Sequence, residues 1–225
     1  MLEIILASKS RVRKEILDNN NIRNRVEFSN VDEDIVKDNL LKGNASPTII
    51  SKNLAELKAN KVSQKYPNTL VLGADSVIDL DGQLISKPES RKEALDILKK
   101  LNGKKHNLVS SVCISNNGKM IWNYSDKAIL TMKEFSSEEL KNYLSKIPDE
   151  VLYAYNVYQI EGEGKKLFSN IEGDENTSTI AATTTTTAAA ATSCGGGAHR
   201  ASFALLCWAW RCTFGDRYPN TVAHA

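Results

Sequence analysis

Ser8-Lys9-Ser10-Arg11-Val12-Arg13-Lys14 sets two hydroxyls and four cations directly after the apolar run Ile4-Ile5-Leu6-Ala7. Where a buried strand hands over to a helix, the helix's first N–H groups are free, and with hydroxyls and cations beside them they can hold a phosphate. A Ser-capped, solvated first turn would read the same way. Cations at a helix start nevertheless sit badly with the helix dipole unless an anion joins them. A second candidate is Asp75 in Gly73-Ala74-Asp75. The apolar run Thr69-Leu70-Val71-Leu72 before it predicts a strand and puts Asp75 at its carboxyl end, where α/β proteins place ligands. There it could serve as general base or metal ligand, or only cap a turn.

Further charged residues could join this chemistry. Asp32-Glu33-Asp34 reads as an exposed loop with a helix cap, useful to a site only if the fold brings it to Asp75. In Ser86-Lys87-Pro88 the fixed backbone of Pro88 holds Lys87 in place. Lys58, beside Leu54, Ala55 and Ala59, could snorkel into a cleft, though a lysine taken singly is usually just solvated. His106 has no Ser or Cys elbow to serve and reads as a structural hydrogen-bonding residue. Asp81 belongs to the Asp-Gly hairpin signal and Asp79 lies just before it, and both read as turn residues rather than metal ligands.

These residues need a scaffold of alternating elements. Glu3 to Ala7 reads as a strand and Ser8 to Asn20 as a helix with Val12, Ile16 and Leu17 inward. A second helix is predicted from Thr48 to Gln64, a hairpin over Ser76 to Ile85, and a helix from Ser90 to Leu101 that Gly103 ends. Leu108 to Ser115 and Lys119 to Tyr124 read as strands around Asn116-Asn117-Gly118, and Ala128 to Lys133 as another. Ser136 caps a helix running to Leu144, with Glu138 and Glu139 in its first turn. The mixture points to an α/β fold.

The 225-residue chain changes character near Thr177, after which come Thr, Ala and Gly runs. This tail carries three of the 29 basic and one of the 27 acidic residues, which leaves 26 of each before it. A balanced body argues against a general nucleic-acid or membrane-surface binder, since either needs excess cations. Of four cysteines only Cys113 precedes the break, which points to a reducing, cytoplasmic setting. The N-terminal apolar run is too short, and too acidic at Glu3, for a signal peptide, and no transmembrane segment is expected.

Taken in order, Leu6-Ala7-Ser8-x-Ser10-x-x-Arg13, Val31-Asp32-Glu33, Leu54-Ala55-x-x-Lys58-Ala59, Gly73-Ala74-Asp75, Lys87-Pro88, Leu101-x-Gly103-x-x-His106 and Tyr158-x-Ile160-Glu161-Gly162-x-Gly164 resemble the Maf family of nucleoside triphosphate pyrophosphatases. The resemblance spans about residues 2–177. It implies a two-lobed mixed β-sheet with flanking helices, related to the inosine-triphosphate pyrophosphatases, and a nucleotide cleft between the lobes. It further implies cleavage of the α–β phosphoanhydride to monophosphate and pyrophosphate with a divalent cation, Mg or Mn. By the resemblance Asp75 is the proton acceptor, Glu33 and Asp75 hold the metal, and Ser8, Arg13, Lys58 and Lys87 bind the substrate.

The positions that set base preference in the family correspond to Val12, Ser76 and Glu161. All three differ from the Arg, Thr and Gln of the dTTP/UTP-cleaving branch, and only Glu161 matches the branch acting on 7-methyl-GTP. The resemblance therefore implies a pyrophosphatase of unassigned base preference, with 7-methyl-GTP or another modified nucleotide as the sharper expectation. It also makes a homodimer plausible and offers a different class of function, a non-catalytic regulator of septum formation. Family domains continue past this break into a Gly-Leu-Pro loop and a final amphipathic helix. Residues 178–225 show neither, so the expectation is a domain over residues 1–177 lacking its closing element, a low-complexity tail, and low solubility.

Overall fold

The computed structural model describes residues 3–158, 160 and 162–173; the predicted tail and Glu161 lie outside them. Strand β1 (Ile4–Leu6) buries Ile5 and Leu6 and passes through Ser8 to helix α1 (Arg11–Asn19). Ser10 Oγ accepts from Arg13 N, so the helix starts one residue after this cap rather than at Ser8. Strand β2 (Asn24–Val26) and helix α2 (Glu33–Lys42) follow, the latter capped by Asp32. Helix α3 (Pro47–Ser63) starts with Pro at its first position and Ser46 as cap, both favoured there because the first N–H groups have no helical acceptor. It buries Ile50, Leu54 and Val62, each contributing about 1.5–3 kcal/mol.

The centre of the fold is β3 (Val71–Leu80), joined to β4 (Gln83–Ile85) by the predicted turn: Asp81 and Gly82 take φ of 53° and 83°. Asp79 supports it, accepting from Gly82 N at 2.8 Å and from Asn107 Nδ2 at 3.2 Å. After α4 (Arg91–Leu101) come two long strands, β5 (Lys105–Asn116) and β6 (Lys119–Met132), turning at Asn117 and Gly118. The two strands expected at 119–124 and 128–133 are one. Helix α5 (Ser137–Ser145) has the full Ser136/Glu139 capping box, and α6 (Asp149–Tyr155), a 3₁₀ turn (Glu163–Leu167) and β7 (Phe168–Glu172) complete the described elements.

The sheet runs β2-β1-β3-β5-β6-β7, with β4 on β3; β1 pairs in parallel with β2 and β3, and every other pair is antiparallel. The sheet is mixed, as expected. Its core is divided. One large cluster joins the far halves of β3, β5 and β6 to α4 and α5, while smaller ones lie where α3 meets β1 and the near halves of β3 and β5. Asp75 lies midway along β3, between these clusters. It is inside a ten-residue strand and not at a strand's carboxyl end, because Gly73-Ala74-Asp75-Ser76 stays paired with β5 throughout.

His106 carries the structural role expected of it. Its Nε2 lies 2.9 Å from the Tyr158 hydroxyl, its ring packs against Phe168, and only 3% of the residue is exposed. Burial pulls its pKa down from 6.5 to about 4. Between those values the unfolded chain takes up a proton that the folded one refuses, so stability is full above pH 6.5 and falls as pH drops toward 4. The loss attributable to this group is about 3 kcal/mol. Urea unfolding at about pH 7 and about pH 4.5 is expected to show a smaller pH dependence in His106→Gln than in the wild type; equal dependence would refute the assignment.

Candidate active site

A cleft of about 330 Å³ opens where β1, α1, α2, α3 and β3 converge, a size within the usual range for small-ligand sites. Ser8, Arg13, Glu33, Lys58, Asp75 and Lys87 all line it. Ser76 lines it as well, whereas Val12 is 7% exposed, faces the core, and is not among the lining residues. Glu161 lies outside the described residues. Part of the remaining wall is apolar, formed by Ile78, Leu84, Ile85, Leu108, Tyr158 and Ile160.

At its centre is a buried ion triad. Lys58 Nζ donates to Asp75 Oδ1 at 2.7 Å and pairs with Glu33 Oε1 at 2.8 Å; Lys58 and Asp75 are 7% and 5% exposed. Three elements meet here. Lys58 comes from α3, Asp75 from β3 and Glu33 from the first turn of α2, so the loop-like acidic segment is brought to Asp75 through the ammonium between them. Ser51 Oγ donates to Asp75 O at 3.1 Å and ties strand to helix at the same level. Asp75 Oδ2 has no hydrogen-bond partner among the described residues. A carboxylate pinned through one oxygen, with the other uncommitted, suits proton acceptance or metal ligation.

Charge around the triad is tuned by proximity. Burial by itself would raise the Glu33 pKa, but the Lys58 charge and hydrogen bond, with Lys87 and Lys37 behind them, outweigh it and hold the carboxyl below its ordinary value. Crowding by protein atoms lowers the Lys87 ammonium; Glu33 opposes that shift and Lys37 adds to it. Lys87 is exposed as a residue, so water stays within reach and the shift carries little energy.

Arg13 is placed by its contacts rather than left to reach outward. Its Nη1 donates to Ala74 O at 2.8 Å and to Ser8 Oγ at 3.2 Å, and its Nη2 to Ser76 Oγ at 3.4 Å. Ser8 Oγ also accepts from Ser10 N at 3.1 Å, and Ser76 Oγ lies 3.0 Å from Ser110 Oγ. The guanidinium thus bolts the Ser8 turn to the strand that carries Asp75. The expected phosphate cradle and the carboxylate site are one wall of one cleft. Lys37, which no sequence motif singled out, lines the same cleft. Its only sequence signal is its position one helical turn after Glu33.

A curated nucleoside triphosphate pyrophosphatase of Pelagibacter ubique (strain HTCC1062) is 71% identical over 175 residues, which is 78% of this chain and 90% of that protein. A 7-methyl-GTP pyrophosphatase of Bartonella quintana (strain Toulouse) is 40% identical over 172 residues, 76% of this chain and 85% of the other. Among solved structures, a nucleoside-triphosphatase / dITP/XTP pyrophosphatase from Mycobacterium abscessus superposes with a TM-score of 0.40 at 12% identity, covering 60% of this chain and 76% of that one, too slight a likeness to bear on function. The family model described as Maf-like protein matches residues 3–179, a span containing every residue of the triad, and with these relatives it makes the chain a member of the Maf-like family.

Proposed function

We propose that this protein hydrolyses nucleoside triphosphates at the α–β phosphoanhydride, releasing a nucleoside monophosphate and pyrophosphate. The observation that carries this reading is the Asp75–Lys58–Glu33 triad inside a cation-lined cleft, in a chain 71% identical to a curated nucleoside triphosphate pyrophosphatase. Asp75 accepts the proton of the water that attacks the α-phosphorus. Lys58 fixes its Oδ1 and leaves Oδ2 for that task. As the bond to the β-phosphate breaks, negative charge grows on the pyrophosphate oxygens, where cations fixed in advance lower the barrier.

The donor set fits a divalent cation shared with substrate. Among the described residues no group of three His, Cys, Asp or Glu side chains forms a protein-only metal site. Mg²⁺ characteristically takes one or two carboxylates and completes its shell with water and substrate phosphates, and Glu33, beside Asp75 across Lys58, supplies a carboxylate for it, with Asp75 Oδ2 open either to the ion or to the attacking water held by it. When bound there the ion would neutralise phosphate charge and polarise the reacting phosphoryl group.

Base preference follows from a panel. Pyrophosphate release is measured from the common ribo- and deoxyribonucleoside triphosphates and from 7-methyl-GTP, each with Mg²⁺ or Mn²⁺. Turnover of at least one is expected. Cleavage confined to 7-methyl-GTP would align the protein with relatives such as that of Bartonella quintana. Tight nucleotide binding without pyrophosphate release would overturn the enzyme reading in favour of a non-catalytic regulator.

A further inference from the structure

We propose that Lys37 binds the departing pyrophosphate portion of the substrate, an assignment that rests on the pyrophosphatase reading above. Lys37 projects from the second turn of α2 and is 9% exposed, with its stem covered and its Nζ not among the fully buried polar atoms, as expected of a lysine that keeps its ammonium in water. Its pairing with neighbouring carboxylates is loose. The nearest carboxylate oxygens, Asp34 Oδ1 at 3.6 Å and Glu33 Oε2 at 3.9 Å, lie beyond hydrogen-bonding distance. The Asp34 side chain is 94% exposed and a weak partner, while Glu33 Oε1 is already committed to Lys58. No acceptor among the described residues takes the Lys37 N–H donors, and the residue lines the cleft.

The other cations narrow the assignment. Lys58 is spent on two carboxylates, and Arg13 on Ala74 O, Ser8 and Ser76. The charges alternate along Asp75, Lys58, Glu33 and Lys37, so two charges lie between Lys37 and the proton acceptor. With Asp75 assigned to the α-phosphorus, we assign this ammonium, separated from Asp75 by Lys58 and Glu33, to the phosphates beyond the reacting one. Five cations, Lys9, Arg13, Lys37, Lys58 and Lys87, line the cleft beside the two carboxylates Glu33 and Asp75, a positive excess that a polyphosphate would neutralise.

The test is calorimetric titration of the full-length protein with inorganic pyrophosphate and, separately, with GMP, both with Mg²⁺. Lys37→Met is expected to weaken pyrophosphate by about tenfold and leave GMP unchanged, as loss of one charged hydrogen-bonding contact would. Lys37→Arg is expected to bind close to wild type, and Lys37→Gln replaces the Met variant should that one fail to fold. Unchanged pyrophosphate affinity, or equal weakening of both ligands as a merely structural lysine would give, overturns the proposal. So does a wild type that does not bind pyrophosphate. A wild type that binds pyrophosphate through Lys37 yet cleaves no nucleotide would sustain the assignment while sinking the hydrolase reading.

Discussion

Asp75→Asn is expected to lower kcat by about 10²- to 10⁴-fold, the usual contribution of a positioned general base, while nucleotide affinity changes far less. The substitution keeps the shape of the side chain and keeps an oxygen for Lys58, which donates to Asp75 Oδ1 at 2.7 Å. What it removes is the negative charge and the proton-accepting capacity of Oδ2, the oxygen with no hydrogen-bond partner among the described residues. Lys58 retains Glu33 at 2.8 Å, so the buried ammonium is not stranded and the fold should hold. Lys58→Met is the contrasting change. It leaves Asp75, only 5% exposed, without the cation that compensates its burial, and removing one partner of a buried pair typically costs about 3–5 kcal/mol. Single-turnover pyrophosphate release and thermal unfolding on both variants separate the effects. Asp75→Asn should lose rate at near-wild-type melting temperature, and Lys58→Met should lose both. Full turnover by Asp75→Asn would remove Asp75 from the chemistry.

The contrast between these variants also shows what the sequence can and cannot convey. Ser8, Arg13, Lys58, Asp75 and Lys87 are legible as a set because each sits beside a local signal: a cap, a turn, a proline or a strand of apolar residues. Their convergence is not, since it depends on β3 lying between β1 and β5 with α3 across it. Glu33 reads as loop because α2 leaves Ile35 and Leu41 exposed at 60% and 42%, so the helix writes no apolar stripe. Strand β2 is three residues of mostly polar type and gives no alternation to find. The largest misreading, a strand ending at Leu72, comes from treating Gly73 as punctuation. Its role is steric: a small residue where helix and strand nearly touch.

Gly73→Ala is expected to destabilise the protein by about 3 kcal/mol, at the upper end of overpacking costs, and to abolish activity in whatever folds. A Cβ at Gly73 would lie 2.2 Å from Ala55 O, 2.8 Å from Ala59 N and 2.9 Å from Ala59 Cβ. The first two are backbone atoms of α3, so no rotamer change relieves the clash and the helix itself must move off β3. That movement separates Lys58 from Asp75, because one rides on the helix and the other on the strand, and it loosens the Ser51 to Asp75 O hydrogen bond. Structural and catalytic losses therefore share one cause. For a chain of this size the expected fall in melting temperature is roughly 6–12 °C. Gly82→Ala makes the control: Gly82 has φ of 83° but nothing within 4 Å of an added methyl, so only the left-handed backbone penalty of about 1 kcal/mol applies. A Gly73→Ala variant that melts within a degree of the wild type and retains its turnover would refute the claim that contact between Gly73 and α3 sets the Lys58–Asp75 distance.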